Sequence, residues 1–177
     1  MDREELLSRY AAGERKFGSA DLRGLDLSGL NLSGIDFRSA NLETTNLSRT
    51  NLSGAYMECT NLINTILVEA NLRDCYVEGF INCDLRRANL DQIRMIEAPI
   101  RNCNMEGVSM RNVDFGSEIG IRFVNLRNSV LTGTKGNYYL ADVDLTGAIG
   151  FDRHGVAGGY WNLTLPDGTF IADWEAE

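Results

Sequence analysis

Chemistry needs nucleophiles, bases, acids or metal ligands held close together, and this chain offers few candidates. His154 is the only histidine; it lies beside Gly155, Gly158 and Gly159 and reads as a surface or cap residue. A zinc site would require further His or Cys ligands at short spacing, and a Ser or Cys nucleophile would require a credible base. Neither pattern is present, and no glycine-rich segment matches the phosphate-loop or dinucleotide fingerprints. The carboxylates are numerous, 25 Asp and Glu in all, but the aspartates return at a fixed spacing. Their recurrence belongs to an architecture, so no pair of them is read as an acid/base couple. The expectation is a non-enzymatic chain with no catalytic residue, no cofactor and no metal.

The element that positions these side chains is a five-residue repeat. A bulky apolar residue returns at every fifth position as Phe17, Leu22, Leu27, Leu32, Phe37, Leu42, Leu47, Leu52, Met57, Leu62, Leu67, Leu72 and Val77. A helix would repeat at about 3.6 residues and a half-buried strand at 2, so the period marks an internal repeat. Two residues before each bulky one stands a small or β-branched residue, such as Ala40, Thr45, Thr50 or Ala70, and the residue between them is mostly Asn or Asp. A second block follows on a shifted frame: Leu85, Leu90, Met95, Ile100, Met105, Met110 and Phe115. All twenty bulky residues are expected to point inwards as the structural core.

Units such as Ala40-Asn41-Leu42-Glu43-Thr44 and Ala70-Asn71-Leu72-Arg73-Asp74 resemble the pentapeptide repeat family. The resemblance implies an all-β solenoid, a right-handed quadrilateral β-helix in which four pentapeptides make one square coil. One unit cannot bury its own Leu, but coils stacked at about 4.8 Å bury a continuous column and pair their backbones. Asn and Asp suit the corners, where short side chains bond nearby backbone. On a 20-residue coil, Phe17, Phe37, Met57 and Val77 share one face, and the two Phe rings are expected to stack. Residues 17–150 then make about seven coils. Glu5-Leu6-Leu7, Tyr10-Ala11-Ala12-Gly13 and Leu165-Pro166-Asp167-Gly168 further resemble a cyanobacterial subset of the family.

Cys75, Cys83 and Cys103 occupy the small inward slot, two before Val77, Leu85 and Met105. They read as buried small hydrophobes; Cys83 and Cys103 stand one coil apart, which leaves a disulfide open. The net charge is −8, and half of it lies in residues 151–177, which hold five acids and one base. Along the repeats, arginines such as Arg23, Arg38, Arg49 and Arg73 alternate with acids, which gives a mixed surface instead of an acidic rail. An acidic chain of pI ≈ 4.7 offers no basic stripe for nucleic acid. With no signal-peptide pattern and no long apolar run, no membrane span is expected and the cytoplasm is the default location.

Taken in order, residues 1–16 hold a short capping helix, with Asp2 as cap, Glu5 completing a capping box, and Leu6, Leu7 and Tyr10 on one face. It would cover the open edge of the first coil. Residues 17–150 form the repeat body, with frame breaks near 78–84, 116–120 and 133–139. Residues 151–177 form the C-terminal cap, from strand-like runs Trp161 to Leu165 and Thr169 to Trp174 around Pro166-Asp167-Gly168, with Trp161 and Phe170 closing the last coil.

Five outward residues break the polar pattern and are the candidate interaction residues: Tyr56, Tyr76, Ile63, Ile66 and Val68. Tyr56 and Tyr76 replace Asn/Asp 20 residues apart and should stack. Ile63, Ile66 and Val68 form an apolar patch, and the irregular segment Glu78-Gly79-Phe80-Ile81-Asn82 is expected to fold over it. The reading is a rigid protein–protein interaction or scaffold module, regulatory in a cyanobacterium, monomeric or weakly dimeric, with another protein as partner. The alternative that the resemblance permits is a DNA-mimicking inhibitor or protector of a type II topoisomerase, DNA gyrase.

Overall fold

The computed structural model describes residues 1–95, 99–153, 156 and 159–172. Its organising feature is the parallel ladder that each outward Asn/Asp position makes with the same position one coil later. On the first face the ladder runs Lys16, Asp36, Tyr56, Tyr76, Arg94, Asp114 and Lys135. On the third it runs Asp26, Asn46, Ile66, Asp84, Asn104, Asn125 and Asp144. Where the pairing spans two residues or more it forms short strands: β1 (Tyr56–Met57), β2 (Tyr76–Val77), β3 (Phe80–Ile81), β4 (Arg94–Met95) and β5 (Ile100–Arg101). Longer ones follow: β6 (Asp114–Asn125), β7 (Lys135–Asp144), β8 (Tyr160–Thr164) and β9 (Phe170–Ile171). The fold is a parallel β-solenoid with one short helix, α1 (Arg3–Ala11), at its N-terminal end.

One coil shows why the pentapeptide suffices. Leu22 N–H donates to the Asn41 carbonyl at 2.9 Å, and Asn41 N–H returns to the Ala20 carbonyl at 2.8 Å, so consecutive coils satisfy each other's backbone. At the corner, Leu25 N–H donates back to the Leu22 carbonyl at 3.2 Å, closing a four-residue turn. The Asx side chain sets up that turn from the flat side: Asp26 Oδ1 accepts from Ser28 N–H at 3.0 Å and Asn41 Oδ1 from Glu43 N–H at 3.1 Å. The third turn residue takes positive φ, as at Thr44 (58°) and Asn64 (58°).

All twenty predicted inward residues are buried, none more than 4% exposed. The small slot behind them has a second role. Thr45, Thr50 and Thr65 donate their hydroxyls to the carbonyls of Leu22, Leu27 and Leu42 one coil below, at 2.8–3.0 Å. A buried hydroxyl is thereby satisfied in an otherwise apolar column. Phe17 and Phe37 meet edge to face, centroids 6.5 Å apart at 61°, instead of stacking. Two rings in one column avoid a face-to-face sandwich by tilting.

The frame break at 78–84 differs from the sequence expectation. Phe80 is fully buried and pairs with Ile100 as an ordinary core residue of the second face. The coil is simply shorter: stacked partners lie 18 residues apart at Tyr76/Arg94, Ile66/Asp84 and Asn71/Asn89, against 20 elsewhere nearby. The corner between Val77 and Phe80 has lost two residues. Gly79, at φ +123°, makes this possible by passing directly beneath the Pro99 carbonyl. A segment so tightly incorporated has no length left to cover Ile63 and Ile66, which stay exposed.

Of the later breaks the first adds a residue and the second removes one, since partners lie 21 apart at Asp114/Lys135 and 19 apart at Ile121/Leu140. Between Phe115 and Ile121 the register slips in two steps within β6, a bulge that puts one extra residue in the coil. In the next coil Gly136 stands against Phe115, and Tyr138 supplies the missing bulk, its ring 4.9 Å from that of Phe115.

Both ends are closed. Asp2 Oδ1 accepts from Glu5 N–H at 2.8 Å, capping α1, but the reciprocal half of the capping box is absent because the Glu5 carboxylate pairs with Arg9 at 3.1 Å. Leu6 enters the core, and Tyr10 hydroxyl donates to the Ser33 carbonyl at 2.9 Å, tying the helix across the first coil. At the other end β8 pairs with β7 in parallel and β9 folds back antiparallel on β8. Tyr160 and Leu163 seal the column there, while Phe170 is 62% exposed and does not. Trp161 lies flat against the outside of the coil instead of inside it. His154 and Trp174 lie outside the described residues. Among the described residues no helix is long and apolar enough to cross a membrane.

Candidate functional site

The inward positions are committed to packing, so any function must come from side chains on the four outer faces. On the first face Tyr56 and Tyr76 stand on adjacent rungs with ring centroids 5.7 Å apart and planes at 10°. The ladder register forces this: β1 and β2 place equivalent side chains one strand spacing apart. Arginines close both ends of the stack. The Arg38 guanidinium lies 5.7 Å over Tyr56, and that of Arg94 lies 4.9 Å over Tyr76 and donates to its hydroxyl. Each such contact contributes about 0.5–1 kcal/mol at an exposed site. Arg38 is itself held by Asp36, whose carboxyl it keeps below the usual carboxylate range. With both ring faces occupied, the stack offers solvent its ring edges and the Tyr56 hydroxyl, and Tyr56 is 44% exposed. A preordered column of Tyr and Arg is the composition that dominates protein interfaces.

The other three candidates do not join this column. Ile63 follows Leu62 at the second face, and Ile66 and Val68 flank Leu67 on the third, opposite the tyrosines. Ile63 is 36% and Ile66 41% exposed. Val68 lines an open recess of about 210 Å³ with Glu69, Arg86, Arg87 and Glu106. Glu69 there bridges Arg49 at 2.9 Å and Arg87 at 3.6 Å, and the Arg49 hydrogen bond lowers its carboxyl pKa. The structure therefore separates the five residues into a tyrosine column and an apolar corner.

The thiols are arranged for packing. Cys75, Cys83 and Cys103 take the threonine slot and donate to the carbonyls of Leu52 (2.9 Å), Leu62 (2.9 Å) and Phe80 (3.4 Å) in the manner of Thr45. Burial pushes the Cys75 thiol up to about 12. Cys83 and Cys103 are free thiols in mutual contact, and this hydrogen bond together with burial raises the Cys83 pKa. Exposed Cys59 donates to Glu78 at 3.5 Å, which raises its pKa as well. A thiol held protonated is a poor nucleophile. Among the described residues no group of three or more His, Cys, Asp or Glu side chains could hold a metal ion.

The sequence reading missed a second aromatic stack. Tyr139 and Trp161 lie 5.8 Å apart at 10°, and Arg122 sits 5.4 Å over the Trp161 ring. The two aromatics are 22 residues apart, diagonal neighbours on coils whose register partners lie 20 apart (Ala141 opposite Trp161), so a count in twenties does not pair them.

The geometry agrees with the comparison to known families. The family model described as pentapeptide repeats, in 8 copies, matches residues 16–54, 45–79 and 80–116, more than half of the chain. The chain belongs to the pentapeptide repeat family. Among solved structures it is similar to HetL, a pentapeptide repeat protein involved in heterocyst differentiation regulation from the cyanobacterium Nostoc sp. strain PCC 7120. The identity is 17% over 96% of this chain and 99% of that one, with a TM-score of 0.49. It is also similar to alr5209, a pentapeptide repeat protein of Nostoc PCC 7120, at 30% identity over 57% of this chain and 82% of that one, TM-score 0.43. A further match is full-length QnrB1, a plasmid-mediated fluoroquinolone resistance protein, at 18% identity over 85% and 84%, TM-score 0.36. No curated protein matches the chain. As in any pentapeptide repeat solenoid, the Leu and Thr columns build the rod, and what distinguishes this member is written in its outward substitutions.

Proposed function

We propose that the chain is a rigid protein-binding module that meets its partner through the first face. The observation that carries this is the Arg38–Tyr56–Tyr76–Arg94 column, where the repeat abandons Asn/Asp for a preordered aromatic stack open to solvent. Ordering these side chains before binding lowers the entropic cost of association. The test is affinity capture from source-cell lysate with the wild type beside a Tyr56→Arg/Tyr76→Arg variant of unchanged circular dichroism. A partner retained by the first and lost by the second supports the reading, and equal recovery by both overturns it.

The topoisomerase alternative draws no support from the charge arrangement. Along the body, Asp21, Asp36, Asp84, Asp91, Asp114 and Asp144 are each paired with an Arg or Lys within 3.5 Å. Neutralised carboxylates do not imitate a row of phosphates. Inhibition of DNA gyrase in a supercoiling assay would revive it.

A further inference from the structure

Most arginines of this rod have carboxylate partners. Arg23, Arg38, Arg49, Arg73, Arg86, Arg87, Arg111 and Arg127 each reach an Asp or Glu. Arg94 is engaged by Tyr76 instead, and Arg101 and Arg122 are exceptions that stand together. They are register partners on consecutive rungs of the second face, in β5 and β6, so their backbones stand about 4.8 Å apart. Neither has a carboxylate partner among the described residues. Asp142, beside the Ala141 that pairs with Arg122, accepts from Asn162 Nδ2 at 2.9 Å. Arg101 is exposed, whereas Arg122 is half-buried, its guanidinium over the Trp161 ring, with its Nε enclosed and donating to no protein acceptor.

Two like charges on adjacent rungs are unfavourable unless an anion sits between them. Here one of the two is also preordered by an aromatic ring, in a protein whose net charge is −8. We infer that the second face binds an acidic segment of a partner protein, its carboxylates received by Arg101 and Arg122 and its neighbouring side chains by the edges of Tyr139 and Trp161. The planar guanidinium fork matches a carboxylate in two-point fashion. A long nucleic acid fits less well, because two cations on a strongly acidic body cannot offset a phosphate backbone. A free small anion would have no use for the adjoining Tyr139–Trp161 stack. The inference rests on the protein-binding reading above but assigns a different face and a stated partner chemistry.

The test is calorimetric titration of the full chain with an octaglutamate peptide at low salt. Octaglutamine, inorganic phosphate and an oligothymidylate serve as comparison ligands. Saturable octaglutamate binding should weaken by about tenfold or more in an Arg101→Glu/Arg122→Glu variant, the loss expected for one or two charge-assisted hydrogen bonds, and should also weaken at high salt. Arg101→Gln, at an exposed position, gives a smaller loss in the same direction and serves if the double variant does not fold. Arg23→Glu, on the same face near the N-terminal end, should leave the affinity unchanged. No binding by the wild type, equal binding by the double variant, or tighter binding of phosphate or oligothymidylate overturns the inference. A chain that captures a partner through Tyr56 and Tyr76 yet ignores octaglutamate refutes this site alone. Octaglutamate binding with capture indifferent to those tyrosines refutes the first-face reading alone.

Discussion

The shortened coil makes a strong test of the fold because two glycines that look alike in sequence carry different loads. Gly54 turns an ordinary corner at φ +68°, and a Cβ added there would meet nothing within 4 Å. An alanine in the left-handed region costs about 1–2 kcal/mol, offset by about 0.4–1 kcal/mol from the stiffer unfolded chain. Gly54→Ala should therefore destabilise by about 0.5–1 kcal/mol. Gly79 turns the shortened corner at φ +123°, outside the left-handed well, which for alanine costs on the order of 1–3 kcal/mol. Its Cβ would also press into the Pro99 carbonyl oxygen, with Pro99 N at 3.1 Å and Cδ at 3.2 Å. That oxygen accepts the Phe80 N–H at 3.0 Å, so the coil cannot yield without breaking the bond that seats Phe80. Relieving such a clash adds about 1–3 kcal/mol, so the two terms together come to about 2–6 kcal/mol. In a domain of this size 1 kcal/mol shifts the melting temperature by about 2–4 °C. Far-UV circular dichroism melts should show Gly79→Ala falling by about 10 °C and Gly54→Ala by no more than about 4 °C. Equal shifts would refute the two-residue corner and with it the register of every coil above it.

Leu47→Asp places a charge inside the column, where an unpaired carboxylate adds several kcal/mol to the loss of a fully buried leucine. Ser48→Asp should change the urea midpoint little, and comparable effects would overturn the inward assignment. Asp21, Asp36 and Asp84 have carboxyl pKa values lowered chiefly by hydrogen bonds from Arg23, Arg38 and Arg86, the first to about 2 from an ordinary 3.8. Groups depressed on folding stabilise above their unfolded pKa and lose that contribution as pH falls through the folded one. Urea midpoints should thus hold steady near neutrality and decline between about pH 4 and pH 2, less steeply in high salt; a rise on acidification would contradict the pairing. A thiol reagent should label Cys59 in the native protein and Cys75, Cys83 and Cys103 only in denaturant. Two thiols missing after denaturation without reductant would show that Cys83 and Cys103 had joined.

The rod was legible because its period is a physical necessity. A column of Leu, Phe and Met can be buried only if the chain returns to the same face every twenty residues, and the Thr slot must recur with it to satisfy its hydroxyl. The breaks were harder to read, since a pattern of fives records that residues are missing without saying which corner lost them. Phe80 looked surplus because the count was carried forward from Val77. It could have been placed by asking which residue keeps the twenty-residue spacing to Ile100. That Gly79 permits a two-residue corner depends on φ and on the closeness of Pro99, neither of which composition records.

The outward faces are where the sequence runs short, for a reason rooted in the same repeat. An inward residue answers to one column and is nearly dictated by it, whereas an outward residue is constrained only by its rung neighbours. Tyr56 and Tyr76 could be paired because the coils between them are regular. Arg101 and Arg122 become register partners only after the bulge in β6 is placed, and Tyr139 meets Trp161 diagonally, one rung position off the twenty-residue register. These irregular coils gather unpaired arginines and stacked aromatics on a face that the regular coils fill with Asn, Glu and Arg. Departures from the period thus change which side chains meet, and a pentapeptide repeat chain acquires a distinctive surface where its counting fails.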